Sequence, residues 1–137
     1  MRTGRAMTVD METFESIRAT MGPRLITTLG YFREDGTRAV GQIEAAQRAS
    51  DASAMIMPAH TLKGEAHQLG ATALGDLCKD IELGARHCVE IQEAPDDLLV
   101  QVARLRGLFS ETMQIFDRET NPLKTREPKR VFGSAIG

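Results

Sequence analysis

Residues 59 to 71 read Ala59-His60-Thr61-Leu62-Lys63-Gly64-Glu65-Ala66-His67-Gln68-Leu69-Gly70-Ala71, and their spacing decides the fold. With Met55 set at zero and 100° per residue, Ala59, Leu62, Ala66 and Leu69 fall within about 40° of Met55, whereas Lys63 lies at about 80°, His60 at about 140° and Gly64 at about 180°. The apolar stripe therefore faces a core, and the histidine faces away from it with a lysine and a glycine beside it. Gly70-Ala71-Thr72 then interrupts the stripe, and a second one starts at Leu74 and continues through Leu77, Cys78, Ile81, Ala85 and Cys88. Two antiparallel helices joined by a tight turn follow from this pattern. In such a hairpin, residues equidistant from the turn lie side by side, and Ala71 is the midpoint between His60 and Glu82. Glu82 is thus expected next to His60 at the edge of the core, accepting a hydrogen bond from one imidazole nitrogen and leaving the other exposed as a nucleophile.

His60-Thr61-Leu62-Lys63-Gly64, Leu69-Gly70-Ala71, Leu74, Leu77-Cys78 and Ile81-Glu82 together resemble the signature of histidine-containing phosphotransfer (HPt) domains. A bare HxxKG would be a weak signal, but here the glycine turn, the Leu and Cys spacing and the hydrogen-bonding residue on the second helix agree. The signature occupies residues 59 to 82, and a weaker likeness, through Leu25, Phe32 and Asp51, extends over roughly residues 10 to 120. The resemblance implies a phosphorelay intermediate. His60 would take a phosphoryl group from a receiver-domain phospho-aspartate and pass it to another receiver aspartate. Lys63 would offset negative charge on the transferring group, Gly64 would leave room for the receiver's loops, and Glu82 would fix the ring and its tautomer. The partners implied are receiver domains of a hybrid histidine kinase or of response regulators. No cofactor is intrinsic to the chain in this reading, because the Mg2+ such transfers need belongs to the receiver. No phosphate-binding loop is present, so the phosphoryl donor is expected to be a protein and no ATP-dependent autokinase activity is expected.

Composition supports one small helical domain. The chain has 137 residues and five prolines, with few aromatic residues and abundant Ala, Leu, Met, Glu, Arg and Gln, which favours helix over strand. No stretch approaches the roughly 20 apolar residues of a membrane span, and the first residues lack a signal-peptide pattern, so a cytoplasmic location is expected. Cys78 and Cys88, ten apart on one predicted helix, lie about 15 Å apart along its axis and read as buried thiols. The net charge of −2 conceals a division: residues 8 to 120 hold 11 Lys and Arg against 18 Asp and Glu, whereas Arg2, Arg5 and the segment from Asn121 onward are basic. Residues 121 to 137, with two prolines and no periodicity, read as a flexible tail too sparse in charge for nucleic-acid binding.

Helix boundaries follow from capping chemistry. Asp10 caps a first helix to about Met21, stopped by Gly22-Pro23. A long second helix presents Leu25, Leu29, Phe32, Ala39 and Ile43 and runs to about Ala49 despite Gly30, Gly36 and Gly41, with Pro23 at its first position. Ser50-Asp51 caps the His60 helix, in which Pro58 either bends the helix or marks its start. Ala94-Pro95-Asp96-Asp97 opens the last helix, with Leu98, Val102, Leu105, Phe109 and Phe116 on its apolar face. The expected architecture is an all-α, antiparallel up-and-down four-helix bundle over residues 8 to 120, with the short first helix as a cover. A monomer is expected.

His67 lies at about 120° on the face of His60 and about 10.5 Å further along the axis, too far to share a phosphoryl group with it. With Met57 and Thr61 it is a candidate for receiver docking, the alternative for His67 being an exposed bystander. Two other functions fit a helical bundle. One is a non-catalytic module that binds a receiver or kinase as an inhibitor or scaffold, against which the complete set of His60, Lys63 and Glu82 argues. The other is a metal or haem bundle using His60, His67, His87 or Cys88, whose side chains do not converge on the helical wheels; no metal site is expected.

Overall fold

The computed structural model describes residues 7–123; the expected tail thus lies almost entirely outside the described residues, as do Arg2 and Arg5. Among the described residues there is no strand, and these form five α-helices: α1 (Met11–Met21), α2 (Arg24–Arg48), α3 (Ala52–Gln68), α4 (Thr72–Glu90) and α5 (Leu99–Thr120). No helix among the described residues is long and apolar enough to cross a membrane.

The four longer helices pack in a closed cycle, α2 on α3, α3 on α4, α4 on α5 and α5 back on α2. The apolar stripes read from the sequence form the shared core. Met55, Ala59, Leu62 and Ala66 of α3 are wholly buried, as are Leu74, Cys78, Ile81 and Ala85 of α4. Both cysteines are free and buried, and burial pushes the Cys78 thiol up to about 12, which keeps it protonated and unreactive. Polar pairs fix the register between neighbours. His60 faces Glu82 and His67 faces Asp76, so positions advance along α3 as they retreat along α4; Arg33 with Asp117 and Glu44 with Arg106 show the same reversal along α2 and α5.

Helix α1 covers one end of this cycle. The Asp10 side chain accepts from the backbone N–H groups of Glu12 and Thr13 and so caps α1, and the Asp10 N–H donates to the Gly70 carbonyl in the α3–α4 turn at 2.8 Å. Phe14 stacks on Phe116 at 5.1 Å, and Phe116 meets Phe32, which also packs on Phe109. The four phenylalanines of the described residues thus join the cover to α2 and α5, burying the apolar area that stabilises a short helix.

Three helix ends close in the same way. After α2, α3 and α4, a residue with positive φ (Ser50, Gly70 and Gln92) reverses the chain, and the N–H of the next residue bonds back to the carbonyls of Ala46, Ala66 and Cys88, the Schellman pattern that satisfies otherwise orphaned carbonyls. Only the middle one uses glycine, and there a side chain would also collide, since an added Cβ would lie 3.0 Å from the Asp10 carbonyl oxygen. Ser50 therefore belongs to the turn, and Asp51 alone caps α3 by accepting from the Ala54 N–H at 3.1 Å. Of the two readings of Pro58, the one in which the helix starts there is corrected: α3 begins at Ala52 and continues through Pro58. The last helix also differs at its start, where Asp96–Leu98 forms a 3-10 turn before α5.

The glycines of α2 divide by their surroundings. A Cβ on Gly36 would lie 2.3 Å from Cε1 of the buried Phe109 ring, whereas Gly30 and Gly41 have nothing within 4 Å. Gly36→Ala should lower stability by about 1 kcal/mol or more, because overpacking costs more than the ~1 kcal/mol gained in helix propensity. Gly30→Ala and Gly41→Ala should raise it by up to about 1 kcal/mol. Urea unfolding of the three variants checks this, and a common sign for all three would refute the packing account.

Candidate functional site

The site is built across the α3–α4 seam around Glu82. Glu82 follows Ile81 on α4 and is drawn into the seam with its side chain only 5% exposed, deeper than the edge position its helical phase suggests. His60, on α3, stays half exposed, and its Nδ1 lies 3.0 Å from Glu82 Oε2. The mirror relation about Ala71 thus brings the two together as the sequence predicts. A carboxylate facing Nδ1 selects the tautomer in which Nδ1 donates and Nε2 presents its lone pair to solvent.

Lys63 is brought to the same carboxylate. Its Nζ lies 2.7 Å from Glu82 Oε1, so the lysine expected to point at an incoming group is held by the buried acid. A residue that sequence reasoning missed completes the cluster: Arg86 donates through Nε and Nη2 to Glu82 Oε2 at 3.0 and 2.9 Å. The signal for it was available, since Glu82 and Arg86 have the i, i+4 spacing, acid first, that pairs side chains on one helix face. Burial pushes the Glu82 carboxyl up, but the bonds from Lys63, Arg86 and His60 outweigh it and hold the group down at about 2. Gly64 sits on the exposed side, and an added Cβ would meet nothing within 4 Å, leaving the approach to His60 open.

The remaining candidates are arranged differently. His67 is not a free side chain: its Nε2 lies 3.0 Å from Asp76 Oδ1, and its ring covers Gly75 so closely that a Cβ there would stand 2.2 Å from the imidazole. Met57 and Thr61 are exposed and line a groove of about 820 Å³ between α2 and α3, floored by the buried Ala39 and Ala46. Among the described residues no three His, Cys, Asp or Glu side chains are grouped so as to hold a metal ion; Cys88 is buried while His87, beside it, is exposed.

Residues 28–113 match the family model of the Hpt domain, more than half of the chain. The chain belongs to the Hpt domain family. The matched segment of this Hpt chain runs from α2 into α5 and includes His60, Lys63, Gly64, Glu82 and Arg86. Among solved structures, histidine-containing phosphotransfer protein B (HptB) from Pseudomonas aeruginosa PAO1 is similar at 28% identity, with a TM-score of 0.71 over 84% of this chain and 96% of that one. No curated protein sequence matches the chain.

The lowered carboxyl has a measurable consequence for this Hpt chain. A group whose pKa falls on folding stabilises the folded state above its unfolded pKa, and the contribution disappears as pH falls through the folded value. Glu82, going from 4.5 to about 2, should therefore contribute about 3 kcal/mol near neutral pH that is lost between about pH 4.5 and 2. Denaturant melts of wild type and Glu82→Gln against pH should show a stability difference that is widest at neutral pH and closes on acidification; a gap that does not vary with pH would refute this.

Proposed function

We propose that this Hpt chain is the histidine phosphotransfer protein of a multistep phosphorelay, with His60 as the phosphorylated residue. The observation that supports this most strongly is the Glu82 carboxylate on His60 Nδ1, which leaves Nε2 as an unhindered nucleophile on a half-exposed ring. In this reading residues 8 to 120 form one functional unit, an antiparallel up-and-down four-helix bundle covered by α1. It is a cytoplasmic monomer whose partners are receiver domains of a hybrid kinase or of response regulators.

In the forward step, the Nε2 lone pair attacks the phosphorus of a receiver's aspartyl phosphate. The P–O bond breaks, its electron pair stays on the aspartate, and Nδ1 keeps its proton against Glu82. Return transfer to a second receiver reverses this. Lys63 supplies positive charge to the transferring group, and the open surface at Gly64 admits the receiver's loops. The Mg2+ that accompanies such transfers is assigned to the receiver, since Glu82, the one acid of the cluster, is already taken by Lys63, Arg86 and His60 Nδ1. Met57, Thr61 and His67 are proposed to meet the docked receiver. His67 would do so as the fixed edge of its pair with Asp76, which sets a polar ridge beside the reacting ring.

Incubation with a radiolabelled phosphorylated receiver should label wild type and leave His60→Gln unlabelled, and the label should be acid-labile and alkali-stable as a phosphoramidate is. A panel of receivers that binds the protein with no transfer would replace this reading with a docking or inhibitory module on the same bundle.

A further inference from the structure

Glu82 has one more cationic partner than its charge requires. With His60 neutral, one carboxylate faces two cations, Lys63 and Arg86, so the cluster holds one positive charge in excess before any phosphoryl group arrives. The two cations are held differently. Arg86 lies on the same helix as Glu82, four residues on, and binds Oε2 with two N–H groups of its planar fork. Lys63 comes from α3, the helix of His60, and meets Oε1 with a single ammonium on a flexible stem. A fork preorganised on one helix loses little by staying, whereas a compact point charge on a long stem is readily redirected.

We propose that Arg86 is a positioning residue that keeps Glu82 neutralised and bonded to the His60 ring, and thereby frees Lys63 to move to the phosphoryl group once that group is bonded to Nε2. The inference rests on the reading of His60 as the phosphoryl carrier. When the aspartyl P–O bond breaks and the N–P bond forms with Nδ1 still protonated, His60 carries a dianionic phosphoryl on a cationic ring, a net charge of minus one. With both cations present the cluster then becomes neutral. Without Arg86 one of two sites goes uncompensated. Either Lys63 remains on Glu82 and the phosphoryl oxygens lack a cation, or Lys63 leaves and a carboxylate buried in the helix seam is left with the His60 ring as its single partner, which is the costlier outcome.

The test uses the full chain with potassium phosphoramidate as donor, so that no receiver is needed. It follows the Lys63 ammonium by nitrogen NMR and the decay of the phosphohistidine by phosphorus NMR. In wild type the ammonium signal should shift on phosphorylation. In Arg86→Gln it should remain at its resting position, and the phosphohistidine should decay about three- to five-fold faster, the scale of a half-exposed charged contact. Arg86→Lys, which keeps the charge and loses the fork, should fall between them, and it provides the comparison if Arg86→Gln does not fold. An Arg86→Gln protein with the wild-type lifetime and the wild-type shift of Lys63, or a phosphorylated wild type whose Lys63 stays on Glu82, would overturn the proposal. A wild type that takes no phosphoryl group from phosphoramidate or from any receiver overturns the carrier reading itself, and this inference with it.

Discussion

A carboxylate buried between two helices is expensive unless cations and hydrogen-bond donors surround it, and the arrangement around His60 follows from how Glu82 meets that demand. Its two oxygens are divided: one takes the Lys63 ammonium, the other takes His60 Nδ1 and the Arg86 fork. The imidazole cannot present Nδ1 to solvent while that bond holds, so Nε2 is the nitrogen offered outward. Removal of the acid would free two cations and release the ring; removal of a cation leaves the acid to the others. The reactive geometry is in this sense a by-product of neutralising one buried charge.

The scaffold sets that charge where it is. Small residues at Ala59, Ala66 and Ala71, all wholly buried, let α3 and α4 approach closely, and the Gly70 turn fixes which residues face one another. Because Gly70 also receives the Asp10 N–H, the cover helix and the hairpin that carries the site are fastened at the same point. A shift of one residue in the turn would move Glu82 by about 100° around α4 and away from His60. The identity of residue 70 thus bears on the chemistry although it touches no reacting atom.

The helices, their apolar faces and the His60–Glu82 pairing were legible because they depend on periodicity and on one glycine turn, both local in sequence. The same mirror rule sets His67 opposite Gly75, which its ring covers, whereas its pair with Asp76, one residue on, depends on the reach of the side chain and leaves no mark in the periodicity. Arg86 was hidden for another reason: an i, i+4 acid and base on a helix usually form a solvated surface pair, and only the depth of Glu82 gives this one significance. The left-handed turns at Ser50 and Gln92 have no sequence mark, since their hydrogen bonds and not their side chains select the conformation. Pro58 stood between two readings because a proline at the seventh residue of a helix costs local stability that burial of Met55, Ala59 and Leu62 offsets, and that balance is tertiary.

The central claim is that Glu82 fixes the neutral His60 ring with its proton on Nδ1. Nitrogen NMR of the neutral imidazole in the resting protein tests this most directly. The account predicts a protonated Nδ1 with a strongly hydrogen-bonded proton and an unprotonated Nε2, and the loss of that preference in Glu82→Ala. A His60 ring protonated at Nε2, or one that exchanges equally between the two tautomers, would contradict it.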